Sequence, residues 1–504
     1  MPLPRRSSLL LLVPTLLLVA LYIDYTLLSS GTYQDDDIGH YLLARWSWRH
    51  PELLLDVWGR PTWTIMHAPF APLGLPAARI WSGVLAGAVG FGSALLAKSY
   101  GLRWSWLAIP LTGLQPEFVR QGFSTLTELS FALVLCLALL AHRQRRWTLM
   151  ALAAGWLPLA RYESVLILAL FVIILLRERR WTLVGLALLP LLLWNGYWAF
   201  ALGTWTRLLF PLDRLLLPSG VPASDYGTGP LWYYPSRLPV AFGGLIFLLA
   251  AHGAVRLRLG LMHACVAIVV GLLSLSYAYF PDATAIAGYI RHLAMVAPII
   301  GVWALAGLEY LALPSAGWRG WATRLIVVGV GLAVGGLAVI AWRTRHEIYV
   351  DAVFAVALAL ALGWWRPAVD QLRWLAAGCV AVAALGVLLR IAPFQRNPEQ
   401  NAAYEAGRWV ANTNTDARLV LAAHGWFALG WNRDLYDSTL YRSLTPAAVA
   451  QAPRGSIMVW DSHYASRLQF QTPRQTFSDP SRFQLLRDFS GTGYELLVYQ
   501  KIAP

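Results

Sequence analysis

The chain has 504 residues, of which 58% are apolar and only 13% are charged. Soluble domains carry about 25% charged residues, so this composition excludes an ordinary water-soluble fold and predicts an integral membrane protein. The net charge of +14 could indicate a nucleic-acid partner. Its basic residues lie in small groups between apolar runs, as the positive-inside rule expects of membrane proteins, and we expect no nucleic acid to bind.

The apolar runs predict a polytopic, helical membrane domain. Arg5 and Arg6 precede the run at 9–28, and no small-residue cleavage site follows, so we interpret this run as a retained first helix with a cytoplasmic N-terminus. Together the runs predict about thirteen spans. The further runs lie at 79–97, 104–119, 125–141, 147–161, 163–176, 181–200, 238–255, 260–279, 293–312, 325–342, 349–365 and 374–391.

In this threading the short arginine-rich turns fall on the cytoplasmic side, except for the turn that contains Arg343 and Arg345. An odd number of spans places the C-terminus outside the cytoplasm. The predicted fold class is therefore an all-α polytopic membrane protein over residues 1–392, with a first external loop at about 31–78. Residues 393–504 predict a small extracytoplasmic α/β domain, with a helix at 404–412 and strands at 418–423, 456–460 and 494–499.

Three adjacent carboxylates, Asp35, Asp36 and Asp37, follow the first span, and His40 lies one helical turn further on. A carboxylate at the outer end of a helix could act as a general base toward a hydroxyl group. The alternative is a solvated acidic turn that caps a helix beginning near Ile38.

A second group lies later in the same external segment: Arg60, Trp63 and His67 fall within two helical turns. Arginine suits phosphate or carboxylate binding, and an aromatic face suits a sugar ring. Taken singly, Trp63 could equally be an interfacial anchor, and His67 a packing histidine.

The remaining candidates are charged residues at the predicted outer ends of later spans. Glu128 lies in an apolar run, where an unpaired carboxylate is unfavourable, so it needs a cationic partner. Arg120 and Arg161 are the two candidates. Several arginines at one membrane face could hold an anionic lipid headgroup, although each alone could be a helix-end residue whose charge reaches water. The members of this group are Glu128, Arg161, Glu163, Arg291 and His292.

The order of these motifs resembles the GT-C glycosyltransferases, polytopic membrane enzymes that take sugar from a polyprenyl-phosphate carrier. In that family the first external loop opens with an acidic pair and continues to an Ala-Arg pair, much as residues 36–45 do. Residues 120–128 are similar to an arginine-to-glutamate stretch of the GPI and lipid-linked-oligosaccharide mannosyltransferases. Trp63, next to Arg60-Pro61, is similar to a Thr-Trp signature of the same enzymes.

Two later motifs extend the resemblance. Arg161-Tyr-Glu163 resembles the arginine motif of bacterial members, and Arg291-His292-Leu resembles an Arg-Tyr-Leu that opens a late helix. The external C-terminal domain is similar to that of the aminoarabinose transferases. The resemblance implies that Asp36, or Asp35 in the other register, is the catalytic base. It implies substrate-binding roles for Asp37, His40, Arg60, Trp63, His67, Glu128, Arg161, Glu163, Arg291 and His292.

The function that follows is inverting transfer of a sugar, a mannose-like hexose or a pentose, from a polyprenyl-phosphate donor to a glycan, lipid or protein acceptor. We expect it on the extracytoplasmic face of the inner (plasma) membrane, in contact with membrane lipids. No cofactor is obligatory, although three carboxylates could hold a divalent metal. The alternative is a transporter or flippase of lipid-linked saccharides. A non-catalytic assembly or sensor protein, or an oligosaccharide polymerase or ligase, are further alternatives.

Overall fold

The computed structural model describes residues 5–203, 228–257, 260–279, 288–311, 318–345, 350–364, 367–368, 371–413, 419–467 and 469–503. The chain divides into two units. The first, which we call the helical unit, holds Met1–Thr26, Arg60–Met66 and Pro76–Ala392. The second, the sheet unit, holds Leu27–Gly59, His67–Leu75 and Pro393–Pro504.

Leucine- and alanine-rich runs form helices because a helix satisfies all of its backbone hydrogen bonds within one segment. Up to the first bent pair, the helices are α1 (Arg5–Leu28), α2 (Asp36–Trp46), α3 (Pro61–His67), α4 (Leu75–Ser99), α5 (Ala108–Gly113), α6 (Pro116–Gly122), α7 (Glu128–Arg143), α8 (Trp147–Ala160), α9 (Val165–Arg177) and α10 (Trp181–Leu202). The later ones are α11 (Tyr233–Phe242), α12 (Gly244–Arg256), α13 (Leu261–Tyr279), α14 (Ala297–Tyr310), α15 (Trp318–Arg345), α16 (Val350–Trp364), α17 (Leu372–Arg390), α18 (Pro398–Thr413), α19 (Gly425–Trp431) and α20 (Pro446–Gln451). Short 3₁₀ segments lie at Pro51–Leu55, Ala71–Leu73, Ser105–Leu107, Tyr162–Ser164, Ile290–Val296 and Arg474–Phe477.

Among the described residues, six helical segments are long and apolar enough to cross a bilayer, or seven if the bent pair α11–α12 counts as one span. The chain is therefore built as a membrane protein, but the predicted count of about thirteen spans is not confirmed. The six segments are Leu11–Leu28, Leu75–Ser99, Trp181–Ala201, Leu261–Tyr279, Ile290–Tyr310 and Leu372–Arg390.

Three predicted spans are not single helices. The run at 104–119 is broken into a 3₁₀ turn, α5 and the start of α6, because Pro116 can begin a helix but cannot continue one. The run at 238–255 is bent by 113° between α11 and α12. Gly243 lies at that bend with a φ of 81°, a backbone conformation that glycine adopts without a steric penalty. The run at 293–312 begins inside a 3₁₀ segment and becomes α-helical only at Ala297.

Close helix packing in the helical unit depends on small residues. A Cβ atom on Gly253 of α12 would collide with the carbonyl oxygen of Trp303 in α14. A Cβ atom on Gly307 of α14 would likewise collide with the carbonyl oxygen of Leu249 in α12. The two glycines therefore let the two backbones touch, as is typical of helix pairs in membranes.

The sheet unit contains a five-stranded mixed sheet in the order β2-β1-β3-β5-β4. Strand β1 is parallel to both β2 and β3, whereas β5 is antiparallel to β3 and β4. Leu421, Met458 and Tyr499 belong to the core that covers one face of the sheet. The strands are β1 (Val420–Ala422), β2 (Tyr441–Ser443), β3 (Ile457–Asp461), β4 (Phe483–Asp488) and β5 (Leu496–Lys501).

The three predicted strands correspond to β1, β3 and β5, and the predicted helix at 404–412 lies inside the longer α18. The sequence analysis missed β2 and β4, the two edge strands. Both are largely exposed and lack the run of buried apolar residues that marks β1 and β3.

Candidate functional site

The helical unit contains a buried ionic group that we call the arginine cluster: Glu128, Arg161, Glu163, Arg291 and His292. Glu128 is only 1% exposed and is the first residue of α7, although the predicted span began at residue 125. The N-terminal end of a helix carries partial positive charge and favours a carboxylate there. The Oε1 atom of Glu128 lies 2.8 Å from Nδ1 of His292, 3.4 Å from Nη1 of Arg161 and 3.6 Å from Nε of Arg291.

Arg161 is the residue that joins the two carboxylates of this cluster. It follows α8 in an extended conformation, between the end of that helix at Ala160 and a 3₁₀ segment that begins at Tyr162. Its Nη2 atom donates to Glu163 at 2.7 Å, and its Nη1 atom lies 3.4 Å from Glu128. Nη1 also donates to the Thr127 hydroxyl at 3.3 Å. A planar guanidinium group can serve both carboxylates at once, which a lysine could not do.

The contacts of His292 determine which ring nitrogen carries the proton. An ionised carboxylate can only accept hydrogen bonds, so the 2.8 Å contact requires Nδ1 of His292 to donate to Glu128. Nη2 of Arg161, which can only donate, lies 3.3 Å from the same nitrogen, and we assign the proton by the shorter contact. In the neutral ring, Nε2 is then an acceptor. Arg291, next to it, lies with its guanidinium carbon 4.6 Å from the ring centre of Tyr289.

Arg60 and Trp63 also belong to the helical unit. The guanidinium carbon of Arg60 lies 4.0 Å above the ring of Tyr162, the residue between Arg161 and Glu163. Trp63 is completely buried, so it is not the exposed interfacial anchor that was one of its two interpretations. The neighbouring Thr62 donates to the carbonyl oxygen of Trp156 at 3.1 Å and ties α3 to α8.

The two candidate partners of Glu128 have separate roles. Arg161 pairs with Glu128, as one of the two predictions had it. Arg120 forms its ion pair with Glu117, three residues earlier on α6. Glu117, at the end of the predicted third span, therefore compensates the charge of Arg120.

The acidic triplet belongs to the sheet unit, at the start of α2. Asp35 accepts three hydrogen bonds from the C-terminal part of the chain. The Gln400 amide donates to Oδ1 at 2.9 Å, the Trp426 indole donates to Oδ1 at 3.3 Å, and the Tyr464 hydroxyl donates to Oδ2. We call Gln400, Trp426 and Tyr464 the Asp35 socket.

The other members of this segment are placed differently. Asp37 is completely buried and accepts from the backbone N–H of Tyr33 at 3.0 Å, while Asp36 is half-buried at the first position of α2. His40 is buried, and its ring stacks on Trp58 with the ring centres 4.2 Å apart. His67 is also buried.

A carboxylate with two imidazoles lies beside the socket, and the sequence analysis did not find it. Oε1 of Glu399 lies 2.9 Å from Nδ1 of His463 and 3.4 Å from Nε2 of His424. Hydrogen bonds from His424 and His463 lower the pKa of Glu399 to about 2. The hydrogen bond to Glu399 raises the pKa of His463. Burial, followed by the charge of Asp35, raises the pKa of Tyr464, so that its hydroxyl keeps the proton it donates.

One signal in the sequence could have located this group. His424 follows β1 by two residues and His463 follows β3 by two residues. Because β1 and β3 are parallel neighbours, residues after their carboxyl ends meet at the same edge of the sheet. Glu399 comes from the first turn of α18, which begins six residues earlier than the predicted helix.

The structure thus brings together Glu128, Arg161, Glu163, Arg291 and His292, with Arg60 and Trp63 in the same unit. Asp35, Asp36, Asp37, His40 and His67 lie in the sheet unit. The predicted pocket shared by the acidic triplet and the arginines stays a prediction. Among the described residues, no group of three or more histidine, cysteine, aspartate or glutamate side chains is arranged to hold a metal ion.

The chain is similar in structure to proteins of known fold. It matches ArnT from Cupriavidus metallidurans in the apo state, with a TM-score of 0.58, 13% identity and coverage of 98% of each chain. It matches the same protein bound to undecaprenyl phosphate with a TM-score of 0.56, 12% identity and coverage of 97% of each chain. A weaker match, with a TM-score of 0.41 and 13% identity, covers 84% of this chain and 63% of AglB from Archaeoglobus fulgidus. No family model and no curated protein sequence matches the chain.

The two ArnT matches extend over nearly the whole length of both chains. They therefore show that the chain shares the fold of ArnT, and the predicted resemblance to this fold is confirmed.

Proposed function

We propose that this chain is a membrane glycosyltransferase that transfers a sugar from a polyprenyl-phosphate donor to an acceptor hydroxyl on the extracytoplasmic face, with inversion at the anomeric carbon. The observation that carries the proposal is the arginine cluster, a buried set of cations within a fold shared with ArnT. One of the matched ArnT structures is bound to undecaprenyl phosphate.

The charges of the cluster suit an anionic lipid headgroup. Arg161 and Arg291 face Glu128 and Glu163, so these four side chains balance. Arg60, on the ring of Tyr162, adds one further positive charge. Guanidinium groups of this kind suit the negative charge of a sugar phosphodiester. Positive charge that is fixed in place before the reaction is an effective way to stabilise a developing anion.

The reaction needs one base and no acid. Asp36, or Asp35 in the other register, takes the proton of the acceptor hydroxyl, whose oxygen forms the new bond to the anomeric carbon. The bond between that carbon and the phosphate oxygen breaks, and its electron pair leaves with the polyprenyl phosphate. Arg161 and Arg291 are the side chains we expect to stabilise that leaving group, with Glu128 holding both in position.

The predicted substrate-binding roles are kept for Asp37, His40, Trp63, His67, Glu163 and His292. The sugar, its acceptor and any dependence on a divalent metal stay predictions.

The test is a transfer assay with the purified full-length protein in lipid nanodiscs and a radiolabelled panel of polyprenyl-phosphate sugars. We expect Asp36→Asn to lower kcat by about 10²–10⁴-fold, the usual contribution of a general base. Glu405→Gln, on an exposed helix position, is the control and should keep wild-type activity. Full activity in both Asp35→Asn and Asp36→Asn would show that the base has been misassigned.

A flippase of lipid-linked saccharides is the second candidate function. The 113° bend between α11 and α12 is the observation in its favour, because transporters build their sites on discontinuous helices. The same assay separates the two functions. A transferase releases unglycosylated polyprenyl phosphate, whereas a flippase changes the leaflet of the labelled lipid and leaves its sugar bond intact.

A further inference from the structure

We infer that Asp35 is a positioning residue through which the C-terminal domain holds the acidic segment, and that Asp36 is the member of the triplet that acts on the acceptor. This inference rests on the proposed function for the role of Asp36. The anchoring of Asp35 does not depend on it.

The first argument is the number of donors on Asp35. Both of its oxygens are engaged, Oδ1 by Gln400 and Trp426 and Oδ2 by Tyr464. A general base must offer a lone pair to the substrate hydroxyl. Three donors on one carboxylate suit an anchor better than a base.

The second argument is that each donor is itself fixed. The Oε1 atom of Gln400 accepts from the backbone N–H of Asn397 at 3.1 Å, so the NH₂ group of the amide must face Asp35. The Asn397 side chain accepts in return from the backbone N–H of Gln400 at 2.7 Å. These reciprocal bonds begin α18 and hold the amide in one orientation.

Trp426 and Tyr464 are fixed by the edge of the sheet. The backbone N–H of Trp426 donates to Nδ1 of His424, which caps α19 directly after β1. The backbone N–H of Tyr464 donates at 2.6 Å to Asp461, the last residue of β3. The socket is therefore assembled from three separate elements: the start of α18, the start of α19 after β1, and the turn after β3.

The third argument concerns Asp36. Consecutive side chains on an α-helix point about 100° apart, so Asp36 does not enter the socket when Asp35 does. Asp36 opens α2 and is half-buried. Once the socket holds Asp35, the rotation of α2 is fixed, and the direction of Asp36 is fixed with it. In this way the C-terminal domain becomes part of the machinery that orients the base.

The experiment compares four variants of the full-length protein in the transfer assay. Asp35→Asn keeps an oxygen for Gln400 and Trp426, so it should retain activity to within about tenfold, the effect of one hydrogen bond. Asp35→Ala should lose more activity than Asp35→Asn. Tyr464→Phe should retain activity to within about tenfold of the wild type. Because Asp35 and Tyr464 act together, Asp35→Ala combined with Tyr464→Phe should be no worse than Asp35→Ala alone.

Two further measurements keep the inference separate from folding and from the proposed function. The acid limb of the pH profile of kcat/KM should not move in Tyr464→Phe, since the hydroxyl of Tyr464 is uncharged and donates to Asp35. Hydrogen exchange across α2 should accelerate in Asp35→Ala and Tyr464→Phe, whether or not the protein transfers sugar. Tyr441→Phe, which removes a hydroxyl bonded to the Ala422 carbonyl in the same sheet, is the matched control and should leave α2 unchanged.

Asp35 would instead be the base if Asp35→Asn were as inactive as Asp36→Asn while its exchange pattern matched the wild type. An acid limb that shifts in Tyr464→Phe would lead to the same conclusion. If neither the wild type nor any variant transferred sugar but α2 still exchanged faster in Asp35→Ala and Tyr464→Phe, the anchor would stand and the proposed function would be wrong.

Discussion

The arginine cluster and the Asp35 socket hold charge in two different ways. In the arginine cluster, buried cations and carboxylates neutralise one another, with Glu128 as the shared partner of Arg161, Arg291 and His292. In the socket, a single carboxylate is held by an amide, an indole and a phenol, none of which carries charge. The socket therefore leaves the negative charge of Asp35 uncompensated, whereas the cluster cancels that of Glu128.

This difference ranks the effects of mutation. Removing one member of a buried ionic group leaves an uncompensated charge, which is among the most destabilising changes known. Removing one neutral donor from a partly exposed carboxylate leaves the other donors and nearby water to compensate. Changes in the arginine cluster should therefore exceed changes around the socket, and each prediction below tests that order.

Glu128→Gln should have the largest effect. It keeps the size of the side chain but removes the carboxylate that Arg161 and Arg291 share, while Arg161 keeps its contact with Glu163. We expect unfolding to become easier by about 3–5 kcal/mol, together with loss of transfer activity. Thermal inactivation in nanodiscs measures the first and the transfer assay the second. Glu405→Gln, whose ion pair with Arg408 is exposed, should change neither. Wild-type stability in Glu128→Gln would remove the case for charge compensation in the cluster.

Arg161→Lys should come second. The positive charge remains, but one ammonium group cannot reproduce the two-sided contact with Glu128 and Glu163. Losing a hydrogen bond between charged groups corresponds to about 10–100-fold in kcat/KM. Arg408→Lys serves as the control, because its partner Glu405 is exposed and needs no fixed geometry. An unchanged kcat/KM in Arg161→Lys would mean that only the charge at this position matters.

The sequence predicted the arginine cluster far better than the socket, and the reason is physical. Glu128 lies in an apolar run, so a cationic partner was required, and few arginines were in reach. The GT-C fold followed from the order of short motifs in the same way. The partners of Asp35 lie 365, 391 and 429 residues further along the chain. Gln400, Trp426 and Tyr464 are also neutral residues. A neutral side chain does not need a partner of opposite charge, so nothing in the sequence pairs these residues with Asp35.

The broken helices were missed for a related reason. Hydropathy measures the length of an apolar run but not its direction, so the 113° bend at Gly243 and the interruption at Pro116 left the predicted spans unchanged. Proline and glycine inside an apolar run were the available signals. A count of spans from hydropathy alone is least reliable where such residues occur.

The smallest predicted effect concerns pH and the group of Glu399 with His463, beside the socket. The pKa of His463 is raised in the folded protein, so its stabilising contribution is complete below the ordinary value of 6.5 and is lost as pH rises above it. The pKa of Glu399 is lowered to about 2, so its contribution is complete above the ordinary value of 4.5 and is lost as pH falls toward 2. Both contributions are therefore fully present only between those two ordinary values.

Raising the pH from 6 to 8 should accordingly lower the protection of α18 against hydrogen exchange in the full-length protein, once the intrinsic rise of the exchange rate with pH has been divided out. Because both groups are about half exposed, the change should amount to less than about 1 kcal/mol. His463→Gln should abolish this pH dependence. Arg474→Gln, which breaks an exposed pair with Glu495 on the same unit, should leave it intact. If His463→Gln kept the wild-type dependence on pH, another group would have to hold α18 against the sheet. The predicted order of mutational effects, larger in the arginine cluster than beside the socket, would then need another physical reason.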